Sequence, residues 1–465
     1  MTKKIAVIGG GITGLSAAHR LTELQNEKNL DIEVILIEKS NKLGGAVTTI
    51  KKDGFLIELG PDMFFTKRPW ALNLSKRLGL ESELIKTNES KRGTYVLWKK
   101  KLVPVPEGFL MLAPSKMIPF LITPLFSWSG KLRMLADFFI SKKAVSDESL
   151  ASFVRRRFGN EALERVAQPM IGGIYTADPE KLSLKATVPQ FIEMEEKYGS
   201  VIKGMLHNRK ENKGESGARY SQFLSFKNGM QTLVDAIEEI LPEGSISLNE
   251  EVKQISRNAE GWEIQSEKRN IHADGLIVTT PSYHAASLIE GIDPLLAAEL
   301  SSIEYASSAV IIFAYKTEKI SHNLNGFGFV VPNVEKSDLI ACSFSSIKFG
   351  GRAPKGCILI RAFVGGALNP NILKLDDAEI ICRVEKELSD ILGIKGEPEF
   401  NLIERYHKAM PQYHLGHIEK VESVFGKLKK YKALEIAGNA YNGVGIPECV
   451  RSGEQAAEAI LKDLF

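Results

Sequence analysis

The chain is poor in cysteine, in net charge and in long apolar runs, and each shortage removes a class of protein. Its four cysteines, Cys342, Cys357, Cys382 and Cys449, all fall in the last third. They form no C-x-x-C pair and meet no histidine at zinc spacing, so no metal centre is expected. So few thiols in a long chain fit a reducing cytosol. Sixty Lys and Arg against 57 Asp and Glu leave a net charge of +3. That balance argues against nucleic acid as a main partner. The most membrane-like stretch, "MIPFLITPLFSW" (Met117 to Trp128), falls well short of the roughly 20 apolar residues that a span needs. Pro119 and Pro124 also interrupt it. No transmembrane segment is expected, and peripheral membrane contact stays open. The first apolar run, "IAVI", is cut short by glycines, so no secretion signal is read and a cytoplasmic location is expected.

What the chain does have is glycine in telling places. "IAVI" reads as a buried strand. Gly9, Gly11 and Gly14 follow in G-x-G-x-x-G order, with Gly10, Ile12 and Thr13 between them. The first glycine permits a tight turn, the second lets backbone approach a pyrophosphate, and the third lets the next helix pack closely. The N–H groups at that helix start are free to face phosphates. A second strand, "IEVILIEKS", ends at Glu38 and Lys39, about 20 residues past the turn as a dinucleotide fingerprint expects. The Glu38 carboxylate suits ribose hydroxyls and would repel a 2′-phosphate. Near the far end stands "EIAGNAYNGVGIPECVRSGEQAAEAI", a second strand–glycine–helix passage. Both segments are expected to fold onto one ligand.

"EKSNKLGGAVTT" then brings Gly44 and Gly45, and "GFLIELGPDMF" brings Gly60, Pro61, Asp62 and Met63. Here the sequence resembles the flavoprotein family of amine oxidases, phytoene desaturases and protoporphyrinogen oxidases. The resemblance implies FAD, with the Gly-Gly pair near its diphosphate and ribityl chain. That family usually carries Arg or Lys after the pair; this chain has Ala46, one cation fewer. By the same resemblance, the Val252 backbone in "EEVKQISRNAEGWEI" meets the adenine, and "ADGLIVTTPSYHA" returns to the cofactor. The resemblance also implies that Tyr406 lies near the flavin. Val444, Gly445 and Ile446 bring the N-terminus of the last helix to it.

The expected fold is α/β with mixed α+β character: a Rossmann-like FAD-binding domain, a mixed-sheet substrate domain and a helical insertion. Residues 1–70, 221–290 and 405–465 are assigned to FAD binding. Residues 71–220 form the insertion, which is expected to contact substrate or membrane, and 291–404 the mixed-sheet domain. "LHNRKENKGESGARY" (Leu206 to Tyr220) reads as a mobile loop. "VRRRFG" and "WKKK" read as solvated faces. The apolar stretch from Phe109 to Phe126 is core if buried and an interaction site if exposed.

"GPDMFFTKRPWA", "QPMIGGIYTADPEKLSL", "FLSFKNGMQTL", "MPQYHLGH" and "GVGIPECVRSG" together narrow the likeness. They resemble the protoporphyrinogen oxidase branch, and within it the Gram-positive coproporphyrinogen III oxidases of haem biosynthesis. That implies six-electron aromatisation of a porphyrinogen, hydride transfer to FAD, and O₂ reduced to hydrogen peroxide. The flavin does the chemistry and no catalytic side chain is required. The implied substrate contacts are Arg68 on a propionate and Ile174, Phe327, Gly328, Val330 and Phe363 around the macrocycle. Lys67, Arg68, Lys91, Arg92 and Lys99 are the cations available to a substrate with several carboxylates. Three alternatives remain: protoporphyrinogen IX as substrate, an amine oxidase, or a flavin-binding partner of the next haem enzyme.

Overall fold

A computed structural model of the chain describes residues 2–142, 147–211 and 222–465. At its centre lies a five-stranded parallel sheet in the order Ile246–Ser247, Ile32–Ile37, Lys3–Ile8, Gly275–Val278, Leu434–Ile436. Distant stretches of sequence thus build one sheet. Alternate residues serve opposite faces, as the strand period of two requires. Ile5, Val7, Val34, Leu36 and Ile277 pack beneath helices Ile12–Lys28, Gln231–Ile240 and Ile446–Leu464. Ala6, Ile8, Ile35, Ile37 and Val278 face the other way, toward helix His417–Leu428 and an antiparallel meander, Val252–Arg257, Trp262–Ser266, Asn270–Ala273. With both faces covered, the strands read as continuous apolar runs.

The first and last long helices touch backbone to backbone. A Cβ added at Gly453 would lie 2.2 Å from the Thr13 carbonyl oxygen. A Cβ at Gly14 would lie 1.9 Å from the Gly9 carbonyl oxygen. Only glycine fits either position, and this contact ties the opening glycine turn to the closing helix.

A seven-stranded mixed sheet stands beside this unit, in the order Phe400–Pro411, Tyr305–Lys316, Cys357–Gly365, Leu339–Phe344, Gly328–Val330, Tyr95–Trp98, Lys101–Pro104. Helix Asp377–Leu392 covers one face through Ile380, Val384, Leu388 and Leu392. A separate helical core, including Phe120, Phe153, Phe158, Ile171 and Phe191, fills the region after Met117.

Three expectations change here. The stretch from 71, expected to be helical, also holds short strands, and the hairpin Tyr95–Pro104 extends the mixed sheet. "VRRRFG" is not simply a solvated face: Arg157 is fully buried between Asp137 and Glu195. The expected loop begins as helix, because Val201–Glu211 is helical; residues 212–220 of it lie outside the described residues. The apolar stretch is divided. Phe109, Phe120, Leu125 and Phe126 are buried, while Ile118, Ile122 and, just beyond it, Trp128 are exposed. No described helix is long and apolar enough to cross a membrane.

Candidate functional site

The opening turn is built as the spacing predicts. Gly9 adopts φ +108°, where a side chain would be strained and would meet Thr279 Oγ1 at 2.8 Å. Thr279 donates to the carbonyls of Ile8 and Gly9. Helix Ile12–Lys28 starts at Gly11 with no side-chain cap, so its first N–H groups stay available. The space around Gly11 is open: a Cβ there would meet nothing within 4 Å. Gly44 bonds back to the turn, its N–H donating to the Gly10 carbonyl at 2.9 Å. Gly45 sits against the Gly11 Cα. Glu38 Oε2 accepts the Gly10 N–H at 2.6 Å, and its Oε1 accepts from Ser40. The Glu38 carbonyl accepts the Glu250 N–H at 3.0 Å, which carries Lys39 and the chain before Val252 into the same neighbourhood. Ile12 and Thr13 are buried in the helix start. A bare backbone cradle, an uncapped helix and an acid at the next strand end fit a dinucleotide cofactor.

The closing segment meets this turn. Gly445 begins helix Ile446–Leu464, also without a side-chain cap. Val444 packs against the helical core and Ile446 against the same core as Ile12. The loop before it is pinned by Tyr413, whose hydroxyl accepts the Gly443 N–H at 2.8 Å and donates to the Asn439 carbonyl at 2.6 Å. Tyr413 stacks on His417 at 3.9 Å between ring centroids. His417 Nε2 lies 3.1 Å from the Tyr441 carbonyl. Burial pushes the Cys449 thiol up to about 12, so it stays protonated. Arg68 reaches the first turn of the same helix, its Nε 3.4 Å from Glu448. Its side chain is 54% exposed.

The third wall is one face of the mixed sheet. Register places Val330, Ala341, Phe363, Val310 and Glu404 in one row across five strands. Paired residues share a face. Gly328 lies two residues from Val330, and Tyr406 two from Glu404, so both join that face. Phe363 and Tyr406 pack in one apolar cluster with Val310 and Ile312. Burial pushes the Tyr406 phenol up to about 12. Its hydroxyl stands 3.3 Å from a Cβ added at Gly60. That same Cβ would be 1.8 Å from the Ala46 carbonyl oxygen, so Ala46, Gly60 and Tyr406 close up only because residue 60 lacks a side chain. Pro61, Asp62 and Met63 continue this segment and are partly exposed. Ile174 is 44% exposed, and a Cβ added at its neighbour Gly173 would lie 3.9 Å from Val330 Cγ1. Phe327 precedes the strand and is buried. Among the described residues no group of His, Cys, Asp and Glu could hold a metal ion.

Some side chains at this site were not singled out by the sequence reading. Arg361, which donates to the Gly60 carbonyl, carried a signal, an arginine inside the apolar run "CILIRAFVGG". Lys348, which pairs with Asp62, and Tyr413 carried none that spacing could expose.

A family model described as flavin containing amine oxidoreductase matches residues 12–461. The chain belongs to that family of flavin-dependent oxidoreductases. It is 36% identical to a Bacillus subtilis protein named coproporphyrinogen III oxidase, over 100% of this chain and 99% of the relative. It is 35% identical to a Staphylococcus aureus protein of the same name, over 100% of both chains. A solved structure from Exiguobacterium sp. 255-15 superposes with a TM-score of 0.89 at 29% identity, covering 100% of this chain and 99% of that one.

Proposed function

We propose that the protein is an FAD-dependent oxidase that converts coproporphyrinogen III to coproporphyrin III in haem biosynthesis. The observation that carries the reading is whole-length similarity to two proteins named coproporphyrinogen III oxidase. The geometry agrees with it. FAD supplies the hydride acceptor and, with O₂ as oxidant, returns the electrons as hydrogen peroxide. The chain supplies the rest. The glycine turn and Glu38 hold the nucleotide end. Gly44, Gly45, Gly60 and Gly445 bring backbone close to the remainder. Val330 and Phe363 on one sheet face and the exposed Ile174 are the apolar side chains assigned to a flat macrocycle. Arg68, exposed beside Glu448 at the start of the last helix, is assigned to a propionate. The substrate's pyrrole N–H groups lose protons directly, so no catalytic base is assigned. The three-part cofactor domain and the cytoplasmic location expected from the sequence belong to the same proposal.

The test is turnover in air. Purified protein receives coproporphyrinogen III or protoporphyrinogen IX, with porphyrin fluorescence and peroxide followed together. Faster product from coproporphyrinogen is expected. Faster product from protoporphyrinogen would overturn the substrate, and no porphyrin from either would overturn the reaction.

A further inference from the structure

We propose that a buried cluster of charged side chains behind the Gly60–Asp62 segment raises the electron affinity of the bound flavin. The proposal rests on the flavin reading above. Lys348 Nζ lies 3.0 and 2.9 Å from the two Asp62 carboxylate oxygens. Arg361 Nη1 lies 3.4 Å from the same carboxylate, and its Nη2 donates to the Gly60 carbonyl. Arg352 lies 3.9 Å from Glu58 and donates to Ser225 Oγ and to the carbonyls of Phe226 and Lys227. Glu58 itself accepts from Thr49 and from the Met230 N–H.

These are three cations against two carboxylates, and every one of the five side chains is at most 12% exposed. With all five groups ionised the cluster holds one excess positive charge, little screened by solvent; burial pulls the Lys348 ammonium below the usual lysine range, with Asp62 opposing it. Burial pushes the Glu58 carboxyl up, toward the neutral form that enlarges the excess. Burial also works against ionised Asp62, but Lys348 and Arg361 outweigh it and hold that carboxyl below the ordinary aspartate range. Among the described residues Arg361 Nε has no hydrogen-bond partner. Excess buried charge is unfavourable alone and is relieved when opposite charge arrives beside it.

Electron uptake would bring that charge. In each two-electron step a hydride leaves a substrate carbon for the flavin, and a proton leaves a pyrrole nitrogen for solvent. Bound FAD would gain one negative charge with that hydride, and O₂ would then take the two electrons and the transferred hydrogen and, with one proton from solvent, leave as hydrogen peroxide. With FAD held along the Gly44–Gly45 and Gly60 backbone as proposed above, little would separate it from the cluster, because Gly60 has no side chain and Arg361 donates to its carbonyl. Charge near the flavin ring tunes its electronics. Arg361 acts through Gly60 and through its field, so it is a positioning residue.

The experiment is a redox titration of flavin-loaded protein against a reference dye. Arg361→Met removes one positive charge at similar bulk. It is expected to weaken the reduced state about tenfold relative to the oxidised state, a fall of about 30 mV for a two-electron couple. Asp62→Asn removes a negative charge and is expected to raise the potential by a similar amount. Arg361→Lys is expected to stay near wild type. Potentials unchanged in both charge variants, or shifted in the same direction, would overturn the proposal. Should Arg361→Met fail to hold flavin, the sign of the Asp62→Asn shift decides. Wild-type protein without flavin or turnover would overturn the earlier reading instead.

Discussion

Gly453→Ala tests whether the two glycine-marked segments act on one ligand. The added carbon would lie 2.2 Å from the Thr13 carbonyl oxygen and 3.0 Å from the Ala17 nitrogen. Both are backbone atoms inside helix Ile12–Lys28, so no side chain can swing aside. Restoring ordinary contact requires the helices to part by about 1 Å. Overpacking of this kind costs about 1–3 kcal/mol. The same displacement moves the Gly11 turn away from Gly445, so the cofactor meets a mis-set cradle. If about 2 kcal/mol of the strain falls on the bound state, flavin affinity drops about 30-fold. The assay is flavin retention on dilution, alongside the thermal midpoint. A Gly453→Ala protein with wild-type flavin affinity and wild-type melting would refute the reasoning, because the two helices would then be free to move without consequence at the site.

Three further outcomes are expected. Arg157→Met should destabilise the helical region by about 3 kcal/mol, because Asp137 and Glu195 lose a buried cation; Arg157→Met with Asp137→Asn should recover part of that loss in chemical denaturation. His417 should make stability depend on pH: burial pushes it down to about 4 in the fold, against about 6.5 in an unfolded chain. The unfolded state then binds the extra proton, so this contribution is whole above pH ~6.5 and is lost as pH falls toward the folded value, by about 3 kcal/mol at most. His417→Gln should flatten that slope, and an unchanged slope would remove His417 as its cause. Arg68→Ala should raise the KM for coproporphyrinogen about tenfold, the loss of one charge-assisted hydrogen-bonded pair, with kcat little changed; an unaltered KM would take Arg68 out of the substrate site.

Much of the cofactor half was legible because its determinants are local. A strand, a G-x-G-x-x-G turn and an acid at the next strand end lie within the first forty residues, and their geometry follows from that spacing. The meeting with the closing helix was legible only as an expectation. It depends on Gly453 touching Thr13, and nothing in either local pattern pairs those two positions. Arg157 misled the reading for a similar reason. A run of arginines looks solvated until its acids are known, and Asp137 and Glu195 stand 20 and 38 residues away. The hairpin Tyr95–Pro104 was missed because it joins the mixed sheet through a parallel pairing with Gly328–Val330. A short edge hairpin between helices gives little period-two signal of its own. The buried charge cluster is a tertiary product too: Asp62 and Lys348 are 286 residues apart.

The central claim is that this chain passes electrons from a porphyrinogen to a bound flavin. Anaerobic mixing tests it without any assumption about the final oxidant. Flavin-loaded protein is mixed with coproporphyrinogen III in a stopped-flow cell, and the yellow absorbance and porphyrin fluorescence are followed together. The account predicts loss of the flavin colour in step with porphyrin formation, and return of the colour when air is admitted. Flavin that stays oxidised in the presence of excess porphyrinogen would contradict it.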